Sequence, residues 1–280
     1  MLAVVAPIVG DTTHSGEMNV STVHLENIAL VTGAGKRLGR SIALGLAASG
    51  WDVAIHYGTS VTDAQQTVQD IQALGRRAVA LQADLGVESS VAGLVTRCTE
   101  AFGLPSCIVN NASLFDYDEA QSFSYARLNT HMQINVAAPV SLARDLHRAR
   151  TQSTHAFEYP AVVINLLDQK LLNPNPDFLS YTLSKAALLE ATRLLAQALA
   201  PHVRVVGLAP GITLVSGDQT ETSFKQAHNL TPLGKSSTPE DITAAAVYLA
   251  RAHAVTGTTL YVDGGQHLKA SARDVMFLTS

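Results

Sequence analysis

Tyr181 and Lys185 stand four residues apart near the start of a helical pattern, a spacing that puts a phenol and an ammonium on one face of a helix. Such a pair can move a proton: tyrosine titrates near pH ~10, and a neighbouring cation favours the phenolate and brings the group closer to neutrality. The same spacing also arises where a solvated lysine simply lies beside a half-buried tyrosine, so the pair needs company. Asp168, at the end of an apolar run, precedes Tyr181 by thirteen residues. Asn110-Asn111-Ala112 directly follows another apolar run, and Thr32-Gly33-Ala34-Gly35-Lys36-Arg37-Leu38-Gly39 joins a third to a helix. A strand, a glycine turn and a helix N-terminus present backbone N–H groups and a positive dipole end to a pyrophosphate. Gly33 and Gly39 supply the tight turn and the close helix-to-strand packing. The next apolar run ends His56-Tyr57-Gly58-Thr59-Ser60, without the carboxylate that would hold free ribose hydroxyls and repel a 2′-phosphate. Together with Lys36, Arg37 and the hydroxyls of Thr59 and Ser60, this favours NADP(H) over NAD(H). Phe115, just past a strand end, offers a flat apolar platform for a heteroaromatic ring, or else fills core from a loop. Pro139 lies four residues after Asn135 and lacks an N–H, so the Asn135 carbonyl is expected to lose its helical partner at a kink and become free to bind water.

Positioning these groups takes a scaffold, and the chain repeats one theme from residue 28 onward. The apolar runs Ile28 to Val31, Val53 to Ile55, Ala78 to Leu81, Cys107 to Val109, Val162 to Leu167, Val203 to Leu208 and Leu260 to Val262 read as strands. Helical patterns at about 37–49, 61–74, 88–102, 124–149, 180–200 and 238–252 lie between them. Start signals include Asp84 and Ser89 before the third helix and Thr238-Pro239-Glu240-Asp241 before the last. Strands apolar on both faces imply a parallel sheet covered on both sides. The expected fold is α/β, a single Rossmann-type doubly wound domain with a seven-stranded parallel sheet flanked by helices. It should span residues 26–268, between an unstructured N-terminal extension (1–25) and a C-terminal tail (269–280). Arg150 to Pro160 reads as a polar surface connection, and Ile212 to Ser237 as a long loop at the carboxyl edge of the sheet, where lids over ligands sit. Composition agrees: the chain has 280 residues, 47% hydrophobic and 15% charged, enough to bury a large core. A net charge of -4 disfavours nucleic acid and anionic membranes as partners. The apolar Met1 to Gly10 has no basic flank and is too short to span a bilayer. The two cysteines, Cys98 and Cys107, and the ten histidines show no metal spacing, so no metal is expected, and a reducing cytosol fits.

In combination, the glycine loop, Asn110-Asn111-Ala112, Asp168, Tyr181 and Lys185 resemble the short-chain dehydrogenase/reductases over about residues 27–267. Three positions depart from the usual family pattern: Arg37 replaces the middle glycine of the cofactor loop, Ser113 follows Asn-Asn-Ala where a glycine is usual, and Asp168 occupies the catalytic serine position. With Phe115, these departures are similar to the pteridine reductases and their bacterial relatives acting on dihydromonapterin or dihydrofolate. In that branch the matching arginine and serine contact cofactor phosphate or pterin, and the matching aromatic stacks on a pterin sandwiched against the nicotinamide. The resemblance implies catalysis by Asp168, Tyr181, Lys185 and Asn135, with Asn135 holding a water in a proton relay and Lys185 the nicotinamide ribose. It implies NADPH held by Gly33, Lys36, Arg37, Leu38, Gly39, His56, Tyr57, Thr59, Ser60, Asp84, Leu85, Asn111, Ala112, Ser113, Tyr181, Lys185, Pro210 and Gly211. Substrate would meet Arg37, Ser113, Phe115, Asp168, Tyr181 and Ile212. The expected activity is hydride transfer to a C=N bond of a pterin or folate by a cytoplasmic homotetramer. The alternatives are a carbonyl or alcohol oxidoreductase of the wider family and a non-catalytic NADP-binding sensor; the intact Tyr181 and Lys185 argue against the sensor.

Overall fold

Each apolar run forms a strand: β1 (Ile28–Val31), β2 (Asp52–Tyr57), β3 (Ala78–Gln82), β4 (Cys107–Asn110), β5 (Ala161–Leu166), β6 (Val203–Pro210) and β7 (Thr259–Val262). All six pairings are parallel and the order is β3-β2-β1-β4-β5-β6-β7. The computed structural model describes residues 27–215 and 220–277, so the extension expected at 1–25 lies outside the described residues. The alternating pleat splits β1 between two cores. Ala29 and Val31 join Ile42, Leu46 and Leu249 on one face, and Ile28 and Leu30 join Leu94, Leu142 and Leu146 on the other. Each of the larger side chains contributes about 1.5–3 kcal/mol by leaving water, which is why the strands read as unbroken apolar runs. The chain steps outward from β1 to β3 and then returns to β4, and this reversal opens a crevice at the carboxyl ends of β1 and β4.

The helices are α1 (Arg37–Ala48), α2 (Val61–Ala73), α3 (Glu88–Val91), α4 (Leu94–Phe102), α5 (Tyr125–Met132), α6 (Ala138–Gln152), α7 (Leu179–Ala198), α8 (Glu221–Asn229) and α9 (Pro239–Arg251). Among the described residues, none is long and apolar enough to cross a membrane. At α9 the start signal works as read: Thr238 and Asp241 form a reciprocal capping box behind Pro239.

Four segments depart from the sequence reading. The helix expected over 88–102 breaks at Ala92–Gly93 into α3 and α4, where glycine lowers the helical propensity. Ser89 lies inside α3, whose cap position is Val87, and Asp84 instead accepts from the Gly86 amide at 2.8 Å. The kink expected near Asn135 is a π-helical turn, Gln133–Ala137, running straight into α6. Without an N–H at Pro139 the i→i+4 bond from residue 135 cannot form, and the ladder widens. Within the long loop, α8 forms behind a Thr220 cap that accepts from Ser223. Among its described residues, Ser223 and Ala227 are buried. Finally, the segment Arg150 to Pro160 is not all surface connection: Arg150 belongs to the last turn of α6, is buried, donates to the Tyr159 carbonyl at 2.6 Å and packs over Phe157.

Candidate active site

The glycine loop closes onto β4 because two positions have no side chain. A Cβ on Gly39 would lie 2.4 Å from both Asn111 Nδ2 and the Gly33 carbonyl, and Gly33 itself sits at φ +62. Arg37 also adopts the left-handed region, at φ 54, a conformation that favours glycine. Its guanidinium reaches across to the Val215 carbonyl at 2.9 Å, tying the loop to the segment after β6. The N-terminus of α1 is uncapped by any side chain, has no acid in its first turn, and begins at Lys36 and Arg37. Cations at the positive end of a helix dipole are unfavourable unless an anion joins them, so this turn fits a pyrophosphate. Lys36 Nζ lies 3.8 Å from Asp63 on α2, a carboxylate that the reading of β2 did not place near the loop.

His56 does different work from the cofactor contact expected of it. Its ring is buried, Nδ1 accepts from the Gly33 amide at 3.1 Å, and Nε2 faces the Ala83 carbonyl at 3.2 Å. Both nitrogens are therefore committed to backbone, the proton resides on Nε2, and burial pulls the pKa down to about 4. Asn111 is likewise spent on backbone, donating to the Thr32 and Gly33 carbonyls. The Thr32 hydroxyl in turn accepts from the amides of Asn111 and Ala112. Leu85 buries its side chain in the core, Tyr57 is half-buried, and Thr59 and Asp84 are exposed.

At the carboxyl ends of β5 and β6 a cavity of about 690 Å³ gathers Arg37, Leu38, Asn111, Ser113, Phe115, Asp168, Tyr181, Lys185, Pro210, Gly211 and Ile212. Tyr181 Oη donates to Asp168 Oδ2 at 2.8 Å, and Asp168 Oδ1 accepts the Lys170 amide at 2.8 Å. Lys185 Nζ donates to the Leu166 carbonyl at 2.7 Å and stands 5.7 Å from the centre of the Tyr181 ring. The sequence reading had Lys185 drawing the phenol toward neutrality; the structure reverses this. Burial, and then the Asp168 charge, push Tyr181 well above its usual value. Burial also raises Asp168, against the opposing hydrogen bonds of Lys170 and Tyr181, and lowers Lys185 to about 8 although Asp168 pulls the other way. Desolvation wins at all three groups because they sit together deep in one pocket. The arrangement holds a phenol that keeps its proton and aims it at a carboxyl group with raised affinity for one.

Asn135 lies beneath the cavity rather than lining it. Its side chain accepts from the Leu114 amide at 2.8 Å and the Ser113 hydroxyl at 3.3 Å, and donates to the Leu114 carbonyl and Ser184 Oγ. One and two helical turns earlier, His131 receives the Asp116 amide and Arg127 donates to the Tyr117 carbonyl at 2.6 Å. This single helix face therefore sets the loop that carries Phe115. The Phe115 ring stacks on Phe178 at 4.2 Å and meets Tyr181 edge-on at 4.7 Å. Phe178 sits at φ 55, a strained conformation for a bulky residue, and its ring is held between Phe115 and Tyr117.

Two residues that shape the site lie outside the sequence reading. α7 starts from Phe178, which cannot cap it, and Asp118 does so from 62 residues away, accepting Ser180 N at 2.8 Å and Ser180 Oγ at 2.5 Å. A helix opening on an aromatic cap position is the signal that an outside acceptor is required. The second is Arg273, in the stretch read as a tail: residues 269–271 and 273–276 line the cavity, and Arg273 pairs with Asp177. Among the described residues no group of His, Cys, Asp or Glu could hold a metal ion.

A family model described as enoyl-(acyl carrier protein) reductase matches residues 33–267. The 2-dehydro-3-deoxy-D-gluconate 5-dehydrogenase of Dickeya dadantii (strain 3937) is 30% identical over 256 residues, 89% of this chain and 98% of that protein. The crystal structure of FolM alternative dihydrofolate reductase 1 from Brucella canis, complexed with NADP, superimposes with a TM-score of 0.80 at 36% identity, over 88% of this chain and 96% of that one. Its Brucella suis counterpart, also with NADP, gives 0.81 at 36%, over 88% and 97%. The family model and the Dickeya relative thus match nearly the whole described chain, and the chain belongs to the short-chain dehydrogenase/reductase family.

Proposed function

We propose that this chain is an NADPH-dependent reductase of a C=N bond in a dihydropterin or dihydrofolate, with Tyr181 as proton donor assisted by Lys185 and Asp168. The observation that carries the reading is the 2.8 Å hydrogen bond from Tyr181 to Asp168. A serine at that position could donate to a substrate carbonyl, whereas an ionised carboxylate only accepts. Reduction of a C=N bond leaves a nitrogen that must gain a proton, and a phenol and a carboxyl sharing one can supply it. The uncapped, basic N-terminus of α1 and the Gly33–Gly39 cradle would hold the cofactor phosphates, and Lys185 the nicotinamide ribose. When bound, NADPH supplies the hydride. Phe115, partly exposed within the cavity, offers a ring for a flat heterocycle to stack on. The two Brucella structures, described as alternative dihydrofolate reductases with NADP, support the same reading.

The second reading is a carbonyl or alcohol oxidoreductase, favoured by the Dickeya relative's description as a sugar-acid dehydrogenase. NADPH oxidation with dihydrobiopterin, dihydromonapterin and dihydrofolate beside a panel of ketones separates the two. Asp168→Ser should lose most dihydropterin activity and gain weak ketone reduction, and Asp168→Asn should lose the first without gaining the second. Full dihydropterin turnover in Asp168→Ser hands the assignment to the carbonyl reading. We also propose a cytoplasmic homotetramer. Leu183 and Leu194 lie on one face of α7 with 46% and 58% of their surface exposed, as an interface helix would have them.

A further inference from the structure

We propose that the segment Lys269–Phe277 is a specificity-determining wall of the substrate pocket, and that Asp177 and Arg273 are the positioning residues that latch it there. Seven of its nine residues, among them Lys269, Ser271, Asp274 and Met276, line the same cavity as Asp168, Tyr181 and Phe115. The latch is built, not incidental. Asp177 is 2% exposed, and its carboxylate accepts Arg273 Nε at 2.9 and 3.0 Å and the Asp274 amide at 2.6 Å. Burial alone would push that carboxyl up, yet Arg273 and the Asp274 amide hold it below its ordinary value. Beneath it, the buried Lys170 donates to the Asp177 carbonyl at 2.5 Å and faces the Asp274 carboxylate at 3.6 Å. At the far end, Phe277 packs on Tyr117 at 5.6 Å and on Phe178 at 6.2 Å. Asp177 immediately precedes Phe178, whose ring stacks on Phe115 and whose backbone leads into the Tyr181 helix. The wall is therefore fastened to the turn that sets both the aromatic platform and the proton donor, so its position governs how large a substrate reaches Asp168. The inference needs Tyr181 and Asp168 to be the reacting centre but does not depend on the substrate being a pterin.

Asp177→Asn in the full chain is the first test, because it unlatches the wall while leaving half-exposed Arg273 free to hydrate. It should raise the KM of the substrate about fivefold or more, change kcat by less than about twofold, and leave the Kd of NADPH unchanged. Discrimination between dihydrobiopterin and the bulkier dihydrofolate should shrink by about threefold. If the enzyme reduces only ketones, the same ratio is taken between a small and a bulky ketone, so failure of the pterin reading leaves this test standing. Arg273→Gln should reproduce the pattern. In the wild-type enzyme loaded with NADPH, added substrate should slow amide exchange across residues 271–276. Unchanged KM in both variants while exchange in the segment accelerates would overturn the proposal, as would exchange in the wild type that is indifferent to substrate.

Discussion

Tyr181 keeps its proton in this pocket because burial and the neighbouring Asp168 both disfavour a phenolate, so its role is that of a donor rather than a standing base. Removing only the hydroxyl in Tyr181→Phe should lower kcat about 10²-fold or more while NADPH binds as before. Stopped-flow turnover and a fluorescence titration of NADPH measure the two; near-normal turnover would take the donor role away. Lys185 makes a separate forecast at the same scale. Its folded pKa of about 8 lies below the ordinary 10.5 of a lysine, so between those values the unfolded chain holds a proton that the folded chain has released. Stability then rises with pH across that window, by up to about 3 kcal/mol. Denaturant titrations of wild type and Lys185→Met at several pH values from 8 to 10.5 should show the wild type gaining on the variant. Parallel curves would mean that the ammonium stays charged in the fold.

Elements, rather than single residues, hold the loops of the site in place. The face of α5 and its π-helical continuation grips the Phe115 loop through Arg127, His131 and Asn135. β2 grips the glycine turn through His56. That histidine is buried neutral, with a folded pKa near 4 against an ordinary 6.5. As pH falls from 6.5 to about 4 the unfolded chain takes up a proton that the folded chain refuses, and the fold loses up to about 3 kcal/mol. His56→Gln removes the titration, so its stability should fall less steeply than that of the wild type over this range, as followed by urea unfolding at stepped pH. An equal slope in both would show that other groups carry the acid sensitivity. Proline at 139 and asparagine at 135 made the interruption of this helix legible in sequence, but not its form. The pattern of backbone donors marks where a ladder must fail, whereas packing against α7, through Asn135 and Ser184, decides how it is repaired.

Across the whole molecule, the crevice between β1 and β4 should select the phosphorylated dinucleotide. NADPH should support turnover at least about tenfold better than NADH in kcat/KM, roughly 1.4 kcal/mol, since the turn after β2, Gly58-Thr59-Ser60, carries no acid. The structure adds that Asp63 lies 3.8 Å from Lys36 in an exposed pair, an interaction that contributes little in water and leaves the preference standing. Lys36→Gln should narrow the NADPH to NADH ratio; equal efficiency of the two cofactors in the wild type would end the argument.

Seven strands, their parallel pairing and the placement of Tyr181, Lys185 and Asp168 at one edge were legible in the amino-acid sequence, because apolar runs, glycine turns and helical periodicity are local signals. Doubly wound connectivity then leaves few alternatives. Other features depend on contacts between residues far apart in the chain, which no local pattern reports. Asp118 caps the Tyr181 helix across 62 positions, and Arg273 reaches Asp177 across 96. These contacts turned an apparent tail into a wall of the cavity. The proton affinities were decided the same way: the sequence supplied a tyrosine, a lysine and an aspartate with opposing influences, and only the depth at which the fold buries them determined that desolvation outweighs the attraction between charges.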